Sequence, residues 1–369
     1  MPSLLELVQF GQSVWFDFIR RSLITSGELA DLVAKGVQGV TSNPAIFEKA
    51  IAGTADYDPE IRTLAGAGRS AAEIYEALAI RDIQLAADVL DPVYRSSEGR
   101  DGYVSLEVDP LLARDSARTV AEATRLFEAV GRPNVMIKIP GTAEGLPAVS
   151  ATLAAGVNVN VTLIFAIANY TAVADAHMAG LEALAAAGPT ARGGHPVERV
   201  ASVASFFVSR LDTALEKELA ARGAPDLQGK IAVANCKLAY AEFKRITATA
   251  RWQALAARGA RVQRVLWAST STKNPAYADT LYVDELIGPE TVNTVPPDTL
   301  RAFMDHGRAA ATLTQGIDTA RRQLDRLATL GIDLEAVTRR LQTEGVAAFV
   351  TPFQALMASI ESKRRRFAA

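Results

Sequence analysis

Val157-Asn158-Val159-Asn160-Val161-Thr162-Leu163 alternates apolar and polar side chains with a period of two, the signature of a β-strand with two unlike faces. Valines occupy one face, and two amides and a hydroxyl occupy the other. Polar groups turned into an interior are costly unless they are used. The stretch is therefore expected to line a barrel, valines under helices, Asn158, Asn160 and Thr162 facing inward.

Working outward, seven further β-branched or aromatic runs read as strands: Val14–Phe18, Gly39–Asn43, Tyr103–Val108, Val135–Ile139, Val200–Phe207, Val262–Ser269 and Val292–Val295. Between them lie stretches of helical period, Ala71–Asp91, Ser116–Val130, Ala166–Ala187, Phe207–Arg222 and Leu300–Leu327. Such alternation allows an open doubly wound sheet or a closed barrel, and eight strands over 369 residues favour the (β/α)8 TIM barrel. Gly188–Pro196 and Gly223–Gly229 read as surface loops, because the alternation continues across both. The expectation is one α/β domain over 1–369, with a C-terminal helix from about 334 to 367. That helix ends in Lys363, Arg364, Arg365 and Arg366, cations that suit the negative end of its dipole.

Hydrophobic residues make up 49% and charged residues 22%, with a net charge of −2, an ordinary globular composition. Neither nucleic acid nor a membrane surface is an expected partner at that charge. The lone Cys236 has no disulfide partner in the chain and reads as a buried, inert thiol. Met1–Phe10 lacks the basic start of a signal peptide, and no run of eighteen apolar residues occurs, so a cytoplasmic location is expected.

The same parity argument places Met136 and Lys138 inward on the fourth strand, and Tyr103, Ser105 and Glu107 inward on the third. Val14, Phe16 and Phe18 are expected to face helices, which turns Asp17 inward. Thr41 and Asn43 end the second strand on one parity, and Ser205 and Phe207 end the sixth. Asp17, Asn43, Glu107, Lys138, Asn160, Thr162 and Ser205 thus converge near strand C-termini, where barrel enzymes carry their chemistry. A desolvated amine is a nucleophile that condenses with a ketone, and the resulting imine is an electron sink for aldol cleavage. Two proton-transfer groups are needed, and Glu107 and Asp17 can supply them. Asn43 and Asn160 can hydrogen-bond a polyol. His177, His195 and His306 lack metal-ligand spacing, so no catalytic metal is expected.

Several motifs in order resemble the transaldolase family, in its longer bacterial form. They are Gly39-Val40-Thr41-Ser42-Asn43-Pro44-Ala45-Ile46-Phe47, Val104-Ser105-Leu106-Glu107-Val108-Asp109-Pro110, Pro133-Asn134-Val135-Met136-Ile137-Lys138-Ile139-Pro140, Asn158–Phe165 and Ala204–Asp212. The resemblance runs from about Val14 to Phe353. It implies a class I aldolase-type barrel with additional helices and a cofactor-free, ping-pong transfer of dihydroxyacetone. Sedoheptulose 7-phosphate and glyceraldehyde 3-phosphate are the implied substrates, giving erythrose 4-phosphate and fructose 6-phosphate in the non-oxidative pentose phosphate pathway. By the same resemblance Lys138 carries the Schiff base, Glu107 with Thr162 and a water moves protons, and Asp17 acts at the cleavage point. Asn43, Asn160 and Ser205 hold the dihydroxyacetone, Thr41 joins them, and Phe207 shapes the site. Arg210 matches one phosphate-binding cation, while Lys273 stands where shorter members place an arginine. Sugar phosphates are the expected partners, for a monomer or homodimer. Two rivals stay open: a fructose-6-phosphate aldolase, which releases free dihydroxyacetone, and a silent sugar-phosphate-binding barrel. Glu107 and Phe207 favour transfer over release.

Overall fold

The computed structural model describes residues 3–188 and 197–368. Eight parallel strands close into a barrel in sequence order: β1 (Gln12–Phe16), β2 (Val37–Thr41), β3 (Tyr103–Glu107), β4 (Val135–Pro140), β5 (Val159–Ile164), β6 (Ser202–Phe207), β7 (Arg264–Ala268) and β8 (Thr291–Val295). Ring closure follows from β1 pairing with β8 as well as with β2. This is the eight-stranded barrel expected from the alternating pattern. Every strand residue from Val135 to Pro140 and from Val159 to Ile164 is buried, as strands covered on both faces must be.

The barrel floor is polar and paired. Arg264 holds Asp101 at 3.0 Å, and the same Arg264 donates to Ser13 at 2.6 Å. The Trp15 indole donates to Asp101 and lies against the Tyr103 ring, 6.2 Å between centroids. Gly39 makes this layer possible, because a Cβ there would stand 2.6 Å from the Trp15 ring. The strand parity of the floor carries up to the opposite, C-terminal mouth.

Local signals mark the ends of several helices. Ser116–Val130 begins at Asp115, whose carboxylate caps Arg118, and stops at Gly131 with φ of 60°. Ala71–Ser96 opens with a reciprocal capping box between Ser70 and Glu73. The single helix expected over Leu300–Leu327 is instead two, Pro297–His306 and Ile317–Thr329. Between them the chain is tied back to the loop before β8, with Thr312 and Leu313 both donating to the Ile287 carbonyl. Helix Ile231–Thr247, which the strand–helix reading passed over, is largely buried; Cys236 lies in it, free, its thiol pushed well up by burial. The Gly223–Gly229 loop holds a short 3₁₀ turn at Pro225–Leu227. The Gly188–Pro196 loop lies, beyond Gly188, outside the described residues.

The last element, helix Leu334–Ala368, passes over the strand C-termini. Near its start Gln342 donates to the carbonyls of Gly141 and Leu163, at the ends of β4 and β5. Near its end Lys363 donates to the carbonyls of Ile51 and Thr54 and pairs with Asp58 at 2.7 Å. The tail cations were expected to serve the helix dipole; Arg364 and Arg365 each also pair with Glu361 at 2.7 Å. No described helix is long and apolar enough to cross a membrane.

Candidate active site

Strand register sets the centre of the mouth. Glu107 of β3 pairs in register with Lys138 of β4, and Lys138 with Asn160 of β5, so the three are neighbours across the sheet. Register partners in a parallel sheet point the same way, here inward. The Lys138 Nζ lies 3.5 Å from a Glu107 carboxylate oxygen and donates to the Ser42 carbonyl at 3.0 Å. Both side chains are almost fully buried, at 6% and 4% exposure. Burial raises the Glu107 pKa, opposed chiefly by the Lys138 charge. A carboxyl held above its ordinary range beside an amine is suited to exchange a proton with it.

A cleft of about 430 Å³ opens from this lysine to the surface. Asp17, Thr41, Asn43, Lys138, Thr162, Ser205, Phe207, Arg210 and Lys273 all line it. Burial raises the Asp17 pKa to about 6, against the lowering influence of Lys138, Lys273 and Arg210. Asp17 thus changes charge near neutrality, as a group that takes and returns a proton should. Toward the rim, Arg210 stacks over the Phe207 ring, 5.0 Å from its centroid. Asp212 and Glu216, its sequence neighbours, are engaged elsewhere: Asp212 by Ala232 and Tyr282, Glu216 by Tyr277. Arg210 is therefore free to serve the cleft. Lys273 is exposed, hydrogen-bonds Ser271, and faces the same opening.

Two expected site residues stand apart from that lining. Asn160 lies beneath the cleft, donating to Ser105 at 3.1 Å and accepting from Ser205 at 2.7 Å. It orients the Ser205 hydroxyl from below. Glu107 turns toward a second, smaller cavity of about 120 Å³, shared with Tyr75, Phe47, Phe353 and Asn43. Asn43 is in both walls; its side-chain oxygen caps the helix Pro44–Phe47 by accepting from Ile46 at 2.9 Å.

A profile of the transaldolase/fructose-6-phosphate aldolase family matches residues 14–360. The chain belongs to this family. Among similar proteins, the transaldolase of Trichodesmium erythraeum is 46% identical, covering 98% of both chains. Transaldolase 2 of Nostoc punctiforme is 48% identical over 98% of this chain and 97% of its own length. The transaldolase of Thermobifida fusca is 50% identical over 95% of each.

Measured on the family's barrel, the strand-based reading missed several residues at the mouth. Phe18 was expected under helices, yet β1 ends at Phe16 and Phe18 lines the cleft; the parity argument lapses once the chain leaves the sheet. Lys49 and Phe349 also line the cleft. Lys49 stands two residues after the first signature run, so its closeness to that motif was a usable signal. Phe349 sits in the C-terminal helix, 5.8 Å above the Lys138 Nζ measured to its ring centroid, and nothing local in the sequence pointed to it. Among the described residues, no group of three or more His, Cys, Asp or Glu is arranged to hold a metal ion.

Proposed function

We propose that this protein is a transaldolase that moves a dihydroxyacetone unit between sugar phosphates through a Schiff base on Lys138. The amine adds to the ketose C2 carbonyl, and the carbinolamine oxygen leaves as water. Glu107, working with Thr162 and a water, supplies the proton that this loss requires. Asp17 then takes the proton from the C4 hydroxyl as the C3–C4 bond breaks, and the bonding electron pair moves into the iminium to form an enamine. The aldose fragment departs, an acceptor aldose enters, and the same steps run in reverse. Thr41, Asn43 and Ser205 hold the three-carbon unit, with Asn160 acting through Ser205, while Arg210 and Lys273 hold phosphate. Lysine does so as a point charge rather than a two-pronged fork.

The observation that carries this reading is the buried amine of Lys138 beside Glu107 at 3.5 Å, opening on a cleft that also holds Asp17 and three further cations, Lys49, Arg210 and Lys273. The donor is sedoheptulose 7-phosphate and the acceptor glyceraldehyde 3-phosphate, which places the enzyme in the non-oxidative pentose phosphate pathway, in the cytoplasm. The catalytic unit is the whole chain, 1–369, acting as monomer or homodimer. The test is to incubate the protein with fructose 6-phosphate, with and without erythrose 4-phosphate. Sedoheptulose 7-phosphate formed only with the acceptor is the expected result. Free dihydroxyacetone as the main product would make it an aldolase, and no turnover of either sugar would leave a binding barrel.

A further inference from the structure

We infer that Phe349 is a positioning residue for the reaction: its ring face lies over the Lys138 nitrogen to stabilise the iminium cation and shield it from water. The inference rests on the Schiff-base reading of Lys138. Phe349 is 5% exposed, lines the cleft, and places its ring 5.8 Å from the Lys138 Nζ. That separation is within reach of the attraction between a cation and the negative face of an aromatic ring, which strengthens as water is excluded.

The surrounding structure holds that ring in place. Helix Leu334–Ala368 is pinned on one side of Phe349 by Gln342 at the ends of β4 and β5. It is pinned on the other side by Lys363 on the carbonyls of Ile51 and Thr54. One turn before Phe349, Gly345 lets the helix approach Leu163 closely, since a Cβ there would meet a Leu163 methyl at 2.8 Å. Leu163 itself takes left-handed backbone, φ 61°, where the β5–β6 register shifts. Such backbone is strained for a branched residue and persists only when its surroundings hold it.

The chemistry gives the ring a task beside the Lys138 nitrogen. The iminium nitrogen is positive from the loss of water until the C3–C4 electron pair neutralises it in the enamine, and positive again once the acceptor has added. Glu107, the nearest carboxyl at 3.5 Å, gains and loses a proton during imine formation, so its countercharge comes and goes with the step. An aromatic face exchanges no protons, so it meets the nitrogen with the same negative face at every step and favours the cationic ones. Covering the nitrogen also slows hydrolysis of the intermediate, which favours passing the three-carbon unit to an aldose.

The experiment replaces Phe349 with leucine, which keeps bulk and loses the ring, and with pentafluorophenylalanine, which keeps the ring's shape and reverses its electrostatic face. Turnover, KM and borohydride-trapped adduct on Lys138 are measured for fructose 6-phosphate, with thermal melts to confirm folding. In both variants kcat and adduct yield should fall about tenfold with little change in KM. The leucine variant should also release more free dihydroxyacetone per transfer. A pentafluoro variant that traps and turns over like the native protein would reduce Phe349 to packing, and a change confined to KM would do the same. Absence of an adduct on Lys138 in the native protein would instead overturn the Schiff-base reading beneath the inference.

Discussion

Asp17 joins the chemistry of the site to its pH dependence. Its carboxyl sits in the cleft with a pKa raised by burial to about 6, from 3.8. To accept a hydroxyl proton it must be ionised, so kcat/KM for ketose cleavage should fall on the acid side with a midpoint near pH 6. An acid limb near pH 4 would show that another group, or an unburied Asp17, controls the step. Stability runs the opposite way. A carboxyl whose folded pKa lies above its unfolded value contributes most below pH 4, and that contribution is lost as pH rises through about 6. Asp17→Asn should therefore abolish cleavage while gaining about 1–3 kcal/mol of stability relative to the native chain at pH 8, with the gain vanishing below pH 4. Paired pH series of thermal melts would check the sign.

At the scale of single elements, β5 and the C-terminal helix fit each other through Gly345. A Gly345→Val substitution drives branched carbons into the space that Leu163 fills, and crowding of this kind costs about 1–3 kcal/mol. The helix has to lift, carrying Phe349 with it, so turnover should fall more than thermal stability alone explains. Native turnover in a variant that melts lower would separate the helix from the chemistry. Which elements were legible follows from their local signals. Ser116–Val130 reads correctly at both ends because Asp115 and Gly131 mark them. The alternation of Val159, Asn160, Val161 and Thr162 identified β5 and its inward face. Pro297–His306 and Ile317–Thr329 merged in the reading because the break between them is made by hydrogen bonds to Ile287, distant in sequence. Ile231–Thr247 buries Asn235 and Lys237 along with its apolar residues, which blurs the division into an apolar and a polar face.

Closure of the barrel turns scattered residues into one site. Strand parity pointed Lys138, Thr162 and Ser205 to a common mouth, Asp17 and Asn43 join them just past the ends of β1 and β2, and the ring order β1 to β8 brings all five together. The same rule could not show that Asn160 supports Ser205 from below, since depth along a strand depends on register with its neighbours. Nor could it reach Lys49 or Phe349, which arrive on helices whose path over the barrel is set by contacts such as Lys363 with Asp58. With a net charge of only −2, the molecule has no overall field to draw in an anion, and recognition falls to the cations at this mouth. All of these features converge on the amine of Lys138. The most direct test is borohydride reduction in the presence of fructose 6-phosphate, followed by peptide mass mapping of the native chain and of Lys138→Ala. A reduced three-carbon adduct on Lys138, missing from the folded variant, is the predicted result; an adduct on another lysine, or none in folded native protein, would contradict it.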